Sequence, residues 1–170
     1  GETLQAQDCE CAWQQRQGIT SRRKNNLPSM ITAGGSSGLS AVLLCVMIKL
    51  MFIAGVGGFA GTCVRFLVAR LMCGIAPTAV FPWGTFLVNV VGCFLIGIIL
   101  GAGERLHVLS STESALFVTG FCGGFTTFSA FANDIYSFGS RGDWSVGALY
   151  AALSVAAGVA MVIAGRLVVR

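Results

Sequence analysis

Gly120-Phe121-Cys122-Gly123-Gly124-Phe125-Thr126-Thr127-Phe128-Ser129-Ala130-Phe131 lies in the middle of an apolar segment long enough to cross a bilayer. It is poorly suited to staying helical throughout. Each glycine in a helix interior costs about 1 kcal/mol relative to alanine, and serine and threonine hydroxyls bond back to their own backbone. Backbone groups freed at membrane depth cannot face lipid; they must be buried in protein or line a cavity. Unwound carbonyls there are ligands for a hard cation, and half-helix N-termini favour anions. Close packing by small residues is the competing explanation. The adjacent threonines, the serine and the flanking phenylalanines favour a functional break.

The rest of the chain reads as membrane protein around this segment. Of 170 residues, 55% are hydrophobic and only 11% charged, too little charge to cover a soluble surface. Hydrophobic runs near twenty residues recur and predict four spans at about 48–73, 84–102, 113–138 and 144–166. Short links between them predict an all-α, up-down bundle with both termini on one side. The first span carries Gly57 and Gly61 at a spacing that lets helices approach closely. Trp83 suits a membrane interface.

Residues 1–46 differ. They are polar, carry Arg22-Arg23-Lys24 and show no periodic pattern, so disorder is the expectation. Met47 and Met51 precede the first span, and the functional protein is expected to start near Met47, with 1–46 a non-native extension. Leaving that leader and Arg65 aside, Lys49, Arg105, Arg166 and Arg170 lie on one side of the membrane and Arg70 and Arg141 on the other. This weak positive-inside bias is what a chain inserting in both orientations requires.

Several function classes fall away. The net charge of +4 is modest and no basic face interleaves with aromatics, so nucleic acid is not an expected partner. Cys63, Cys73, Cys93 and Cys122 lie in or beside apolar runs and read as small apolar residues. Neither a nucleophile–base pair nor a metal-ligand cluster can be assembled, so an enzyme is not expected.

Polar residues inside the spans are the remaining candidates. Asn89, Thr127, Ser129, Tyr150 and Ser154 fall in three spans, and Tyr150 and Ser154 share a helix face. Each alone is explained by bonding to its own helix; together they form a track of donors that can replace water around an anion. Phe117, Phe121, Phe125, Phe128 and Phe131 read as one helical stripe. Such a stripe serves packing, or turns the positive edges of its rings toward an anion. Arg65 is a costly intramembrane cation, either functional or snorkelling to an interface. Asp134 is placed to pair with it or to serve a cation vestibule.

Three linked motifs now stand in order: Gly57-Gly58-Phe59-Ala60-Gly61-Thr62 with Arg65, Gly84-Thr85-Phe86 with Asn89, and the segment from Gly120 to Phe131. Over about 47–170 this pattern resembles the Fluc (CrcB-type) fluoride channels. The resemblance implies an antiparallel, dual-topology homodimer of four-helix subunits in the bacterial inner membrane. It implies a structural sodium held by backbone oxygens of Gly123 and Thr126 from both chains. Phe128 and Phe131 would line the fluoride path, Asn89, Thr127, Ser129, Tyr150 and Ser154 would guide the ion, and Arg65 would be the functional charge. Passive export would lower cytoplasmic fluoride. The family commonly has hydroxyls where Ala130 and Gly158 stand here, which bears on the polar track and not on the class. The rival reading is a small multidrug-resistance-type four-helix transporter, which relies on a first-span glutamate that this chain lacks.

Overall fold

A computed structural model of the chain describes residues 36–75, 81–106 and 109–170. The expectation for the leader falls, for residues 1–35, outside the described residues, as do the links through Pro77 and His107. The described chain is all-helical. Helix α1 spans Ser36–Ile75 and α2 spans Trp83–Leu106. The third span is assembled from α3 (Ser111–Glu113), a π-helix π1 (Ser114–Cys122), α4 (Gly123–Phe125) and α5 (Phe128–Ser140). Helix α6 spans Trp144–Val168.

Four helical stretches, Val42–Ile75, Trp83–Leu106, Ser111–Ser140 and Trp144–Val168, are long and apolar enough to cross a membrane. Helix α1 begins about a dozen residues before the expected first span, because Val42-Leu43-Leu44-Cys45-Val46 continues the apolar run N-terminally. At 1.5 Å per residue its 40 residues measure about 60 Å, roughly twice a hydrocarbon core. Helices α2 and α6, with 24 and 25 residues, match that core closely.

Local chemistry sets the ends. Ser110 caps α3 in a reciprocal box: its Oγ accepts from the Glu113 N–H, and Glu113 Oε2 accepts from the Ser110 N–H at 2.8 Å. Past Ser140 the chain turns through Gly142, whose φ of +87° is the left-handed geometry that closes a helix C-terminus. The N–H groups of Arg141, Gly142 and Asp143 donate to the Phe138 and Gly139 carbonyls and complete that stop.

Two seams hold the bundle. In the first, α1 lies backbone-to-backbone on π1 and α4. A methyl on Gly120 would sit 2.6 Å from the Ala54 carbonyl and 3.0 Å from Gly57 Cα, and one on Gly124 would sit 2.9 Å from Gly58 Cα. Lipid tails give helices no hydrophobic incentive to associate, so such close approach supplies the attraction. The second seam joins α2 to α6 at Gly97 and Gly165. Between the seams lie the most enclosed side chains: Cys122, Val88 and Tyr150.

Candidate functional site

The third span changes character at Thr126 and Thr127. Both are extended, with φ/ψ of −82°/161° and −151°/111°. A continuous α-helix would direct the Thr127 N–H to the Gly123 carbonyl and the Ala130 N–H to the Thr126 carbonyl. Neither is spent that way. The Thr127 N–H donates to Asn89 Oδ1 at 2.8 Å, and Asn89 Nδ2 donates back to the Thr127 carbonyl at 3.3 Å. The Ala130 N–H donates to Thr127 Oγ1 at 3.3 Å, so Thr127 is the N-cap of α5.

Asn89 is suited to this because one side-chain amide presents both a donor and an acceptor. From α2 it copies the pairing a backbone neighbour would make. Thr127 is accordingly buried, with 8% of its surface exposed. Its hydroxyl also lies 3.3 Å from Ser129 Oγ. On the other flank Thr126 Oγ1 donates to the Cys122 carbonyl at 2.9 Å, and Thr62 Oγ1 on α1 donates to the Gly124 carbonyl at 3.4 Å. The carbonyls relieved of their helical partners are those of Gly123, Gly124, Phe125 and Thr126; Thr62 serves that of Gly124, and of the others Gly123 is exposed and Thr126 half-buried.

Those oxygens suit a hard alkali cation, which takes neutral backbone oxygen ligands readily. The donor set therefore fits the sodium implied by the resemblance.

The phenylalanines do not form one stripe. They divide at the extended pair into Phe121–Phe125, stacked at 6.0 Å, and Phe128–Phe131, tilted at 5.8 Å. The physical reason is local: a wider π-turn before the threonines and non-helical backbone at them break the 3.6-residue period. Phe125 is buried, whereas Phe128 is 79% exposed on the chain's surface. Phe131 in turn meets Tyr150 at 5.4 Å, so rings run from the surface at Phe128 to a tyrosine only 1% exposed.

Tyr150 is boxed by Phe81 and Phe138 as well. Its hydroxyl donates a long 3.5 Å bond to Asp134 Oδ2. Asp134 therefore faces Tyr150 and does not pair with Arg65. One turn along α6 from Tyr150, Ser154 Oγ is enclosed and makes no hydrogen bond of good geometry among the described residues, the Tyr150 hydroxyl being its nearest polar neighbour on that face. An orphaned hydroxyl at membrane depth is costly, and it stands in the row that begins at Phe128. Gly158 follows, where a Cβ would lie 3.3 Å from Cys93 Sγ; the thiol fills the space that a longer side chain there would enter.

Arg65 is half-buried on α1, one turn after Gly61, and no carboxylate pairs with it among the described residues. The structure thus gathers Asn89, Thr127, Ser129 and Thr126 at one point and strings Phe128, Phe131, Tyr150 and Ser154 from it, with Arg65 apart on α1. Sequence reasoning missed Thr62 as a donor to the Gly124 carbonyl. The signal was present, since a threonine one residue after a close-packing glycine is carried against the neighbouring backbone.

Comparison with known proteins places this geometry in context. Residues 52–166 match the family model described as CrcB-like protein, Camphor Resistance (CrcB). A protein of Azobacteroides pseudotrichonymphae named fluoride-specific ion channel FluC is 39% identical over 119 residues, 70% of this chain and 94% of that protein. One of the same name from Rhizobium etli is 43% identical over 119 residues, with the same coverage of both chains. Another, from Novosphingobium aromaticivorans, is 46% identical over 116 residues, 68% of this chain and 91% of its own.

Proposed function

This chain belongs to the CrcB-like family, and from that premise we propose that it is a fluoride-selective channel carrying the ion passively out of the bacterial cytoplasm across the inner membrane. The observation that carries the reading is the row Phe128–Phe131–Tyr150–Ser154, which starts exposed at the extended threonines and ends on an enclosed, unpartnered hydroxyl.

Fluoride is small and strongly hydrated, so a path must replace its water at low cost. Ring edges of Phe128 and Phe131 offer the positive rim of the quadrupole. The hydroxyls of Ser129, Thr127, Tyr150 and Ser154 offer O–H donors. Asn89 has its Oδ1 and one amide hydrogen engaged by Thr127; its second amide hydrogen is a further donor. A narrow file of such groups rejects larger anions because they cannot reach all of the donors together. Arg65 supplies fixed positive charge that raises the local anion concentration.

The extended pair is then the functional break of the third helix, and the working unit is an antiparallel homodimer. Gly123 is exposed and Thr126 half-buried on one chain, and lipid cannot satisfy carbonyls freed there. A second copy related by a two-fold axis would bury them along with Phe128 and the exposed apolar groove of Met51, Phe52 and Phe59. The same carbonyls from both chains would hold a structural sodium, which when bound supplies positive charge and a tie between subunits. The weak charge bias is compatible with insertion in both orientations. The small multidrug-resistance-type alternative loses its footing with the family membership.

The test is direct. Purified protein in liposomes should release trapped fluoride to an ion-selective electrode, with chloride retained. Absence of fluoride efflux, or chloride efflux at the same rate, defeats the proposal.

A further inference from the structure

The ends of α2 and α6 form a second polar feature, remote from the extended threonines. Between them lies a groove of about 520 Å³ with an apolar floor that includes Ile163 and Leu167. Its rim carries Arg105, Arg166 and Arg170 against the single carboxylate of Glu104. The formal charge is +2. Two helix C-termini open here, and their dipoles subtract roughly half a charge each, which leaves the side-chain balance near +1.

Two of the guanidiniums are held in place. Arg166 forks onto Glu104, Nη2 to Oε1 at 3.1 Å and Nη1 to Oε2 at 3.3 Å. Arg105 Nη1 donates to the Val169 carbonyl at 2.9 Å. Helix capping and a surface ion pair explain these contacts, but not the surplus. Each guanidinium has five N–H donors, and the side chain of Arg170 makes no hydrogen bond among the described residues. Depth is the second consideration. Counting about 20 residues of α2 from Trp83 uses up a 30 Å hydrocarbon core, which puts Glu104 and Arg105 at headgroup level. Arg166 and Arg170 stand at the same level across the groove.

We propose that this groove is a binding site for the headgroup of an anionic phospholipid. The phosphodiester takes the free N–H groups of Arg105 and Arg170, whose planar forks match phosphate oxygens. The glycerol and upper acyl chain lie on Ile163 and Leu167. Basic pockets between membrane helices recognise anionic headgroups in this way.

The test uses the full chain reconstituted in vesicles of equal parts phosphatidylglycerol and phosphatidylcholine, then extracted gently and weighed with its retained lipids by native mass spectrometry. Wild-type protein should retain phosphatidylglycerol preferentially. Arg105→Gln and Arg170→Gln should each lower that preference about fivefold, with fluoride efflux unchanged. Glu104→Gln, which removes the opposing carboxylate, should raise it by a similar factor; this arm holds even if an arginine variant folds poorly. An unchanged preference in the arginine variants, or a fall in Glu104→Gln, overturns the site. So does equal displacement of the lipid by millimolar inorganic phosphate, which would mark a site for free anion.

Discussion

Replacing Asn89 by alanine removes both contacts that hold Thr127 in its extended state, at 2.8 and 3.3 Å. The buried Thr127 N–H then has no partner, while its carbonyl loses the Asn89 amide but keeps the first intrahelical bond of α5. A buried unpaired polar group costs about 1–3 kcal/mol, while hydrogen bonds between membrane helices have measured contributions averaging only about 0.6 kcal/mol. Taking the short bond nearer the first figure and the long one nearer the second gives about 2 kcal/mol. The chain has an escape, because the Thr127 N–H can return to the Gly123 carbonyl and continue the helix. With the two forms otherwise level in energy, about 2 kcal/mol in favour of the closed form leaves roughly one molecule in thirty extended. Fluoride efflux from liposomes should therefore fall about thirtyfold, with normal insertion and yield. Efflux within threefold of wild type, from a monodisperse preparation, would refute the claim that Asn89 maintains the extended threonines.

Other outcomes follow from the same geometry. Ser154→Ala should gain about 1 kcal/mol in stability by deleting an orphaned hydroxyl while lowering fluoride flux; thermal unfolding in detergent and the efflux assay check the two halves, and a loss of stability would show that Ser154 is structurally engaged. Phe128→Ala exposes no core, since the ring is already 79% exposed, so unfolding of the isolated subunit should barely move while efflux drops at least tenfold. Gly120→Ala drives a methyl to within 2.6 Å of the Ala54 carbonyl and should cost more than about 2 kcal/mol, read as lost monodisperse protein on size-exclusion chromatography. Removing sodium from the buffers should weaken subunit association, measured by dilution, if the Gly123 and Thr126 carbonyls serve the proposed cation.

The spans were legible because hydropathy is a property of the local sequence: runs near twenty residues have few alternatives to crossing a bilayer. The extended backbone at Thr126 and Thr127 falls in a stretch whose glycines and threonines lower helix stability whatever surrounds them. Polar residues in apolar segments supplied the candidates, and the three linked motifs marked the family. Partner choice was not legible. That Asn89 would spend its amide on Thr127, 38 residues away, depends on how closely α2 approaches the third span. Nor could the sequence turn Asp134 from Arg65 toward Tyr150, or divide the phenylalanines into two pairs at the threonines. Those outcomes rest on glycine seams that let backbones meet, and on a π-turn that shifts every side chain beyond it. Composition states which groups must be satisfied at membrane depth; only the packed helices decide which neighbours satisfy them.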